Sequence, residues 1–282
     1  MRTTLVSLLL ITLCGLSIQI CSGRSRTATV WALDAGGNIY RLNASGARLD
    51  KMPGNLIQIA EGADGDVWGL SSDHLIYHFE QEEWNRETGS LTALSVGSVK
   101  NAWGLDAAGN VFHYKKEYDV WVEMPGKLAQ ISAASDGTVW GLNKAGKVYR
   151  FESRLKNWAP VPGDLMEIAV GGAGAVWGID KSHKIVRFNA AKQNWEIIPG
   201  NLAHLAVGAN GAVWGVDSKG KVYRFNPDSK SFIDVPGAFT KIAVGADGTV
   251  WGVSPAGQLS RFDPATQSWK MITGTVSQIV AG

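Results

Sequence analysis

The sequence has few cysteines and no excess of charge of either sign. Its 282 residues include only two cysteines, Cys14 and Cys21, and both lie near the N-terminus. The charges nearly balance, with 27 Lys and Arg against 25 Asp and Glu, for a net charge of +2. This composition excludes a polybasic nucleic-acid arm, an acidic tail and an intrinsically disordered chain, because disorder requires low hydrophobicity and high net charge.

The first 23 residues have the layout of a secretory signal peptide. Arg2 precedes an apolar run from Leu5 to Leu13, and small and polar residues follow up to Gly23. The run is too short for a stable membrane anchor, and no later stretch is apolar for long enough to span a bilayer. We therefore expect cleavage near Gly23, secretion, and a mature chain without a thiol. A disulfide scaffold, a thiolate zinc site and a cysteine nucleophile are then not expected.

Glycine and tryptophan are abundant instead, at 34 and 12 residues, and they recur at fixed intervals. The step Val-Trp-Gly, or a close match, returns every 37 residues, with one interval of 35 between Trp68 and Trp103. The Trp positions are Trp31, Trp68, Trp103, Trp140, Trp177, Trp214 and Trp251. A Pro-Gly or Thr-Gly marker follows the same spacing and places the single two-residue deletion near Gln81. Seven copies of one unit therefore fill the chain, which indicates a repeat architecture.

Each copy contains four short strand patterns and no helical stripe. Asp-Gly between two apolar runs, as at Asp136 and Gly137, is a strong hairpin signal because both central residues of the turn need positive φ. The third run carries a basic residue beside an aromatic one, and the fourth carries a further aromatic residue. The unit is thus predicted to be a four-stranded antiparallel sheet.

Such a sheet cannot bury both of its faces alone, but radial stacking of several sheets does so. The sequence therefore predicts an all-β, seven-bladed β-propeller with its Ile-Ala-Val-Gly strands innermost. The first copy lacks its inner strand, and we expect Ser277 to Gly282 to supply it and to close the ring. The predicted limits are a signal peptide at 1–23 and one propeller domain at 24–282. Its blades are 27–52 plus 275–282, 53–89, 90–126, 127–163, 164–200, 201–237 and 238–274.

Hairpin lengths predict which side chains face one another. A three-residue loop ending at Gly146 places Trp140 opposite Arg150, so that the guanidinium lies against the indole. A four-residue loop at 227–230 places Phe225 opposite Phe232. The equivalent pairs are Phe151 with Trp158, Phe188 with Trp195, and Phe262 with Trp269. These pairs are predicted to lie on the opposite face from Trp140 and to pack between blades.

The unit reads Ile-Ala-Val-Gly-x-Asp-Gly-Thr-Val-Trp-Gly-Val, then Gly-x-Val-Tyr-Arg-Phe, then Trp-x-x-Val-Pro-Gly, and it closely resembles the tectonin repeat. The resemblance covers all of the chain after the signal peptide. It implies a secreted or surface carbohydrate-binding lectin without enzymatic activity. It also implies several similar glycan sites and a role in innate defence, through recognition of microbial or other foreign saccharides.

A ring of basic residues is the main candidate site, and two interpretations of it stay open. Its members are Arg41, His78, His113, Arg150, Arg187, Arg224 and Arg261. In the structural interpretation each stacks on its Trp and bonds backbone carbonyls or a carboxylate such as Asp34, Asp106, Asp180 or Asp217. In the functional interpretation the ring binds saccharide at blade edges, because stacking surfaces with a few polar groups suit a sugar pocket. The candidate ligand-binding set then adds Trp68, Trp103, Trp140, Trp177, Trp214, Trp251, Tyr149 and Tyr223.

Two alternatives to a lectin also follow from the sequence. A propeller that binds protein partners would use irregular stretches such as 80–86 or 115–119. A propeller enzyme would need acidic, His or Arg residues on the innermost strands, where the repeat offers mainly Ile, Ala, Val and Gly. We expect no catalytic, metal or cofactor site, no nucleic-acid partner and no membrane insertion. A monomer is expected, and the sequence leaves an oligomer open.

Overall fold

The computed structural model describes residues 29–282, which form 28 β-strands arranged as seven four-stranded antiparallel sheets. The predicted signal peptide at 1–23 lies outside the described residues. Across residues 29–282, no helix has the length and apolar character needed to cross a bilayer. The inner strands of successive sheets contact one another all the way round. The predicted seven-bladed propeller, with its Ile-Ala-Val-Gly strands innermost, is therefore confirmed.

The blades follow one another along the chain. Blade 1 contains β1 (Val30–Leu33), β2 (Asn38–Leu42) and β3 (Leu49–Asn55). Blade 2 contains β4 (Gln58–Glu61), β5 (Val67–Leu70), β6 (Leu75–Glu80) and β7 (Glu83–Ser90). Blade 3 contains β8 (Ala93–Val96), β9 (Ala102–Leu105), β10 (Asn110–Lys115) and β11 (Val120–Lys127). Blade 4 contains β12 (Gln130–Ala133), β13 (Val139–Leu142), β14 (Lys147–Glu152) and β15 (Asn157–Asp164).

The remaining blades repeat this order. Blade 5 contains β16 (Glu167–Val170), β17 (Val176–Ile179), β18 (Lys184–Asn189) and β19 (Asn194–Asn201). Blade 6 contains β20 (His204–Val207), β21 (Val213–Val216), β22 (Lys221–Asn226) and β23 (Ser231–Ala238). Blade 7 contains β24 (Lys241–Val244), β25 (Val250–Val253), β26 (Gln258–Asp263) and β27 (Ser268–Thr275), and β28 (Gln278–Ala281) completes blade 1. The outer strands end slightly beyond the blade limits set by the marker glycines.

The C-terminal strand closes the ring. Strand β28 pairs antiparallel with β1, with Trp31 opposite Val280. The Ser277 amide donates to the Leu33 carbonyl at 2.6 Å. The Gln278 side chain accepts a hydrogen bond from the Ile59 amide of blade 2 at 3.2 Å. One strand from the C-terminus and three from the N-terminus thus share a blade, as the repeat count predicts.

The hydrophobic core lies in the seams between blades. The second-strand Trp of one blade packs edge-on against an aromatic pair of the next, as Trp103 does on Phe151 at 4.7 Å and on Trp158 at 6.0 Å between ring centroids. The predicted pairings in blades 4 to 7 are confirmed. The seam between blades 7 and 1 differs, because Trp251 there packs with the aliphatic Leu42 and Leu49.

Glutamine side chains join the inner strands of neighbouring blades. The Gln58 amide donates to the Leu94 carbonyl and accepts from the Leu94 N–H, both at 3.1 Å. Gln130 makes the same two contacts with Ile168 of blade 5. Strands of different blades share no backbone ladder, so these side chains satisfy backbone groups that would otherwise be unpaired.

Two turn features seen in the sequence, a deletion and a replacement of Gly by His, have a clear conformational basis. Gln81 and Glu82 both have positive φ, at 53° and 66°, and form a two-residue hairpin loop where blades 3 to 7 have four residues. The predicted deletion near Gln81 is therefore confirmed. His74 and His183 occupy turn positions held by Gly in other blades, and their φ values of 62° and 63° are left-handed.

Gly172 is required by the close approach of two neighbouring hairpin turns. A Cβ atom at this position would lie 1.9 Å from the carbonyl oxygen of Ala209 in the next blade. We expect Gly172→Ala to lower the free energy of unfolding by ~1–3 kcal/mol, because the turns must separate to admit the methyl group. Urea denaturation measures this difference.

The matched control is Gly36→Ala, whose new Cβ atom would meet its nearest neighbours at an ordinary 3.4 Å. Equal stability of the two variants would show that the turns around the central axis are not held in rigid contact.

Candidate functional site

Every basic residue of the predicted ring lies directly on a second-strand tryptophan. The register places Trp140 opposite Arg150, as predicted, and repeats this pairing in all seven blades. Each of the five guanidinium carbons lies 5.4 to 6.0 Å from the centroid of its indole. The imidazoles of His78 and His113 stack on their indoles at 3.9 and 4.2 Å. Contact between a basic side chain and the second-strand indole is therefore a property of the fold, and in the five Arg blades it is a cation–aromatic contact.

The second-strand tryptophans lie beneath this ring of basic residues. All seven are buried, with 0 to 3% of their surface exposed. This burial does not support the open stacking role that the sequence analysis considered for six of these side chains. The six are Trp68, Trp103, Trp140, Trp177, Trp214 and Trp251. A basic side chain covers one side of each indole. Aromatic or aliphatic residues of the next blade pack against the indole from the other side, so a ligand would contact the basic group before the indole.

Tyr149 and Tyr223 lie on the other face of their strands. Tyr149 is opposite Gly141 and packs into the seam with blade 3, whereas its neighbour Arg150 is on the opposite face. The Asn143 side chain donates to the Tyr149 hydroxyl at 3.5 Å, and the Tyr223 hydroxyl donates to Asp217 at 3.4 Å. Their hydroxyls therefore point toward the turns after the second strands, away from the basic ring.

The carboxylates suggested as partners of the ring serve a different purpose. Asp34, Asp106, Asp180 and Asp217 accept backbone N–H groups of their own turns at 2.8 to 2.9 Å. These contacts hold the pKa of Asp34 and Asp106 below the ordinary value, through bonds from Asn38 and Asn110 above all, although burial opposes the shift. The structural interpretation was wrong about these partners, because the turns lie at the far ends of the strands.

Other groups neutralise part of the ring. Arg41 forms a two-pronged ion pair with Glu82 of blade 2, at 2.8 and 2.6 Å. Arg150 donates to Glu152, with the shortest nitrogen–oxygen distance 2.6 Å. The Nε2 atom of His78 lies 2.8 Å from the carboxylate of Asp66.

His113 is neutral at pH 7 for a physical reason. Burial above all, together with the cationic side chain of Lys115, lowers its pKa to about 4. Its Nε2 atom lies 3.2 Å from the Lys100 carbonyl. Both lysines border a groove of about 390 Å³ between blades 3 and 4.

Arg187, Arg224 and Arg261 remain without such a partner. In the part of the chain that the structure describes, none of the three forms an ion pair within 4 Å. Arg187 and Arg224 line one groove of about 810 Å³ between blades 5 and 6. Two unpaired guanidinium groups in one concave surface make this groove the best candidate site.

Small residues leave the floor of this groove open. In blades 2, 3 and 7 the residue two positions before the Trp accepts a hydrogen bond from the indole N–H, as Asp66 does from Trp68 at 2.6 Å. Blades 5 and 6 have Ala175 and Ala212 there, and both line the groove. An alanine side chain offers no acceptor, so the indole N–H of Trp177, a residue that also lines the groove, has no acceptor from this position.

The central channel contains one acidic side chain that the sequence analysis missed. Its wall is formed by small apolar residues, and Glu61 stands where the other blades have Val or Ala. Both carboxyl oxygens are buried without a hydrogen-bond partner among residues 29–282. Burial raises the pKa of Glu61 to about 9, and the nearby Gly282 backbone and Thr29 side chain offset only part of this effect. A single Glu in a column of Val and Ala was the available signal.

Metal-binding geometry is absent from the described ranges. Among residues 29–282 no three or more His, Cys, Asp or Glu side chains gather closely enough to bind a metal ion. Among the described residues that line the channel, Glu61 has the one ionisable side chain.

The sequence profile described as "Tectonin domain" matches residues 17–193 and 171–282. The chain belongs to the tectonin family. Tectonin-1 of Physarum polycephalum is 33% identical over 64 residues, which is 22% of this chain and 30% of that protein. The match thus spans less than a third of this curated relative. Tectonin propellers are typically non-catalytic, and the family suggests a glycan-binding or protein-binding propeller.

Solved structures share the fold of this tectonin propeller at low sequence identity. YCF48 bound to D1 peptide aligns with a TM-score of 0.61 and 14% identity, over 86% of this chain and 85% of that one. YCF48 from Cyanidioschyzon merolae aligns at 0.58 and 14%, over 77% and 84%. The extracellular domain of the putative hybrid two component system BT3049 from B. thetaiotaomicron aligns at 0.58 and 11%, over 79% and 35%.

We expect Glu61→Gln to stabilise the protein at neutral pH. Above about pH 4.5 the unfolded chain loses the Glu61 proton, whereas the folded chain keeps it up to about pH 9. The parent therefore loses stability as the pH rises through this window, by on the order of 3 kcal/mol at pH 7. The variant lacks this loss, so urea denaturation at pH 5, 7 and 8.5 should show a growing difference in its favour.

Glu61→Val reproduces the side chain of other blades and should behave similarly. Glu83→Gln, at an exposed position of β7, controls for the loss of one carboxyl group. A parent and a Glu61→Gln variant of equal stability at every pH would contradict the buried, protonated state of this group.

Proposed function

We propose that this protein is a secreted, non-enzymatic lectin that binds glycans in grooves between blades. The observation that supports it best is the groove between blades 5 and 6, where Arg187 and Arg224 have no carboxylate partner. Guanidinium groups donate hydrogen bonds to sugar oxygens, and apolar walls favour the C–H faces of the ring. Phe225 and Val176 supply such walls here. The tectonin membership supports a binding role over catalysis.

The grooves differ in their capacity to bind. Arg41 and Arg150 are neutralised by Glu82 and Glu152, and His78 is buried against Asp66. We therefore place the working sites at blades 5 to 7, where the Arg side chains are unpaired. Several weak sites on one rigid ring raise avidity by about 10²-fold, which suits repetitive saccharides on a microbial surface. Secretion, which rests on the predicted signal peptide at 1–23, and a role in innate defence belong to the same proposal.

A protein partner is the second candidate, and one exposed surface favours it. The Lys116 ammonium lies 2.8 Å from Glu80, which brings together the two irregular stretches of blades 2 and 3. Tyr118 beside them is 77% exposed, and Val120 and Val122 on β11 are also exposed. An exposed aromatic beside apolar residues suits a protein interface. Binding of a protein that Tyr118→Ala abolishes, with no glycan bound, would favour this candidate.

A glycan array with the parent protein and two arginine variants tests the lectin proposal. We expect Arg224→Ala to weaken saccharide binding by about 10-fold, because a charge-assisted hydrogen bond contributes ~1.5–3 kcal/mol. Its thermal unfolding should change little, since this guanidinium forms no ion pair among the described residues. Microcalorimetry of one bound saccharide gives the affinity and the number of sites.

Arg41→Ala is the matched control, since Arg41 lies over Trp31 in the same way but is paired with Glu82. It should leave saccharide affinity unchanged. Loss of stability without loss of affinity in Arg224→Ala would support the structural interpretation of the ring. Silence of the parent protein across all saccharides would contradict the lectin proposal.

A further inference from the structure

One position of the repeat affects whether the basic residue is neutralised from within its own blade, whereas Arg41 is paired with Glu82 of the next blade. This position lies two residues after the basic one and therefore on the same face of the strand. In chain order its occupants are Asn43, Glu80, Lys115, Glu152, Asn189, Asn226 and Asp263. In blade 4 this residue is Glu152, which pairs with the guanidinium of Arg150. Blades 5 and 6 have asparagine instead.

Both asparagines are engaged in their own loops. The Asn189 oxygen accepts the amides of Ala191 and Lys192, and its side-chain nitrogen donates to Glu196 at 2.7 Å. The Asn226 oxygen accepts the Asp228 amide at 2.9 Å. Their side chains thus shape the rim of the groove, and they offer no charge to the guanidinium groups.

Two nearby carboxylates only partly offset the positive charge. Glu196 is opposite Arg187 in the register, but its Oε1 atom already accepts from Asn189 and Lys192. Asp228 lies on the rim of the groove. Among the residues that line the groove, Asp228 is the one anion against Arg187 and Arg224, so the groove carries net positive charge.

The charge and the shape of this groove point to one class of ligand. We propose that the groove between blades 5 and 6 binds an oxyanion substituent of a glycan, a carboxylate or a sulfate, through the guanidinium groups of Arg187 and Arg224. The proposal rests on the lectin function and specifies its ligand. Charge-assisted hydrogen bonds are stronger than neutral ones, and the half-enclosed groove limits competition from water. The buried Trp177 also lines the groove.

Matched polymers test the ligand class. Polygalacturonate is compared with its methyl ester, and dextran sulfate with dextran, by biolayer interferometry on the parent protein. We expect each charged polymer, or one of the two, to bind at least 10-fold more tightly than its neutral counterpart. Binding of one charged polymer alone identifies carboxylate or sulfate as the preferred group. Equal binding within both pairs overturns the proposal but leaves the lectin function intact.

Absence of binding to both charged polymers also overturns the proposal. The glycan array then decides the lectin function separately, because neutral saccharides bound there would show that the grooves work without charge recognition.

Two substitutions exchange the deciding residue between blades. Asn226→Glu copies Glu152 into blade 6 and should reduce binding of the charged polymer at least 5-fold, because the new carboxylate occupies Arg224. Glu152→Asn frees Arg150 and should add a binding site between blades 4 and 5. Calorimetric stoichiometry with a short charged oligosaccharide measures both changes.

Ser218→Glu is the control for net charge. It adds the same charge as Asn226→Glu at an exposed turn on the other face of the ring. We expect it to leave binding unchanged. A loss equal to that of Asn226→Glu would mean that the polymers respond to overall charge, and the groove assignment would be wrong. If Asn226→Glu fails to fold, an unchanged stoichiometry in Glu152→Asn still contradicts the proposal.

Discussion

The whole ring depends on the buried tryptophan of each second strand. Each indole supports a basic side chain on one side and packs against residues of the next blade on the other, as Trp140 does between Arg150 and the pair Phe188 and Trp195. One side chain therefore joins neighbouring sheets and fixes the position of the candidate binding group. Aromatic contacts of this geometry contribute ~0.5–1.5 kcal/mol each beyond their buried area. They recur in six of the seven seams, and with the aliphatic seam between blades 7 and 1 they form the core of residues 29–282 from strands alone.

The site is made by variation at positions that the fold does not constrain. The basic residue on its indole recurs in all seven blades, so stacking alone cannot distinguish a binding blade from a purely structural one. The distinguishing residues are the small Ala175 and Ala212 and the uncharged Asn189 and Asn226. In blades 5 and 6 they leave both open space and guanidinium groups without an ion pair among the described residues. A repeated scaffold can in this way confine a specific ligand site to one part of its circumference.

The fold was predictable because local sequence patterns, which recur in every repeat, specify its strands and hairpins. Hairpin length alone placed Trp140 opposite Arg150 and Phe225 opposite Phe232, since directly opposed residues share a face. The groove was harder to predict. The burial of the indoles depends on the packing of the next blade, and the partner of Arg41 is Glu82, which lies 41 residues further along the chain. The protonation of Glu61 likewise depends on the closing of a channel that no single repeat describes.

Closure of the ring by β28 also has a kinetic consequence. Blades 2 to 7 are each built from contiguous strands, so their contacts can form as soon as the corresponding segment is available. Blade 1 pairs Trp31 with Val280, which are separated by nearly the whole sequence. Such non-local pairing carries a large loop-closure entropy and slows folding. The final docking of the last strand is therefore the step that commits an otherwise open arc of sheets to its native topology.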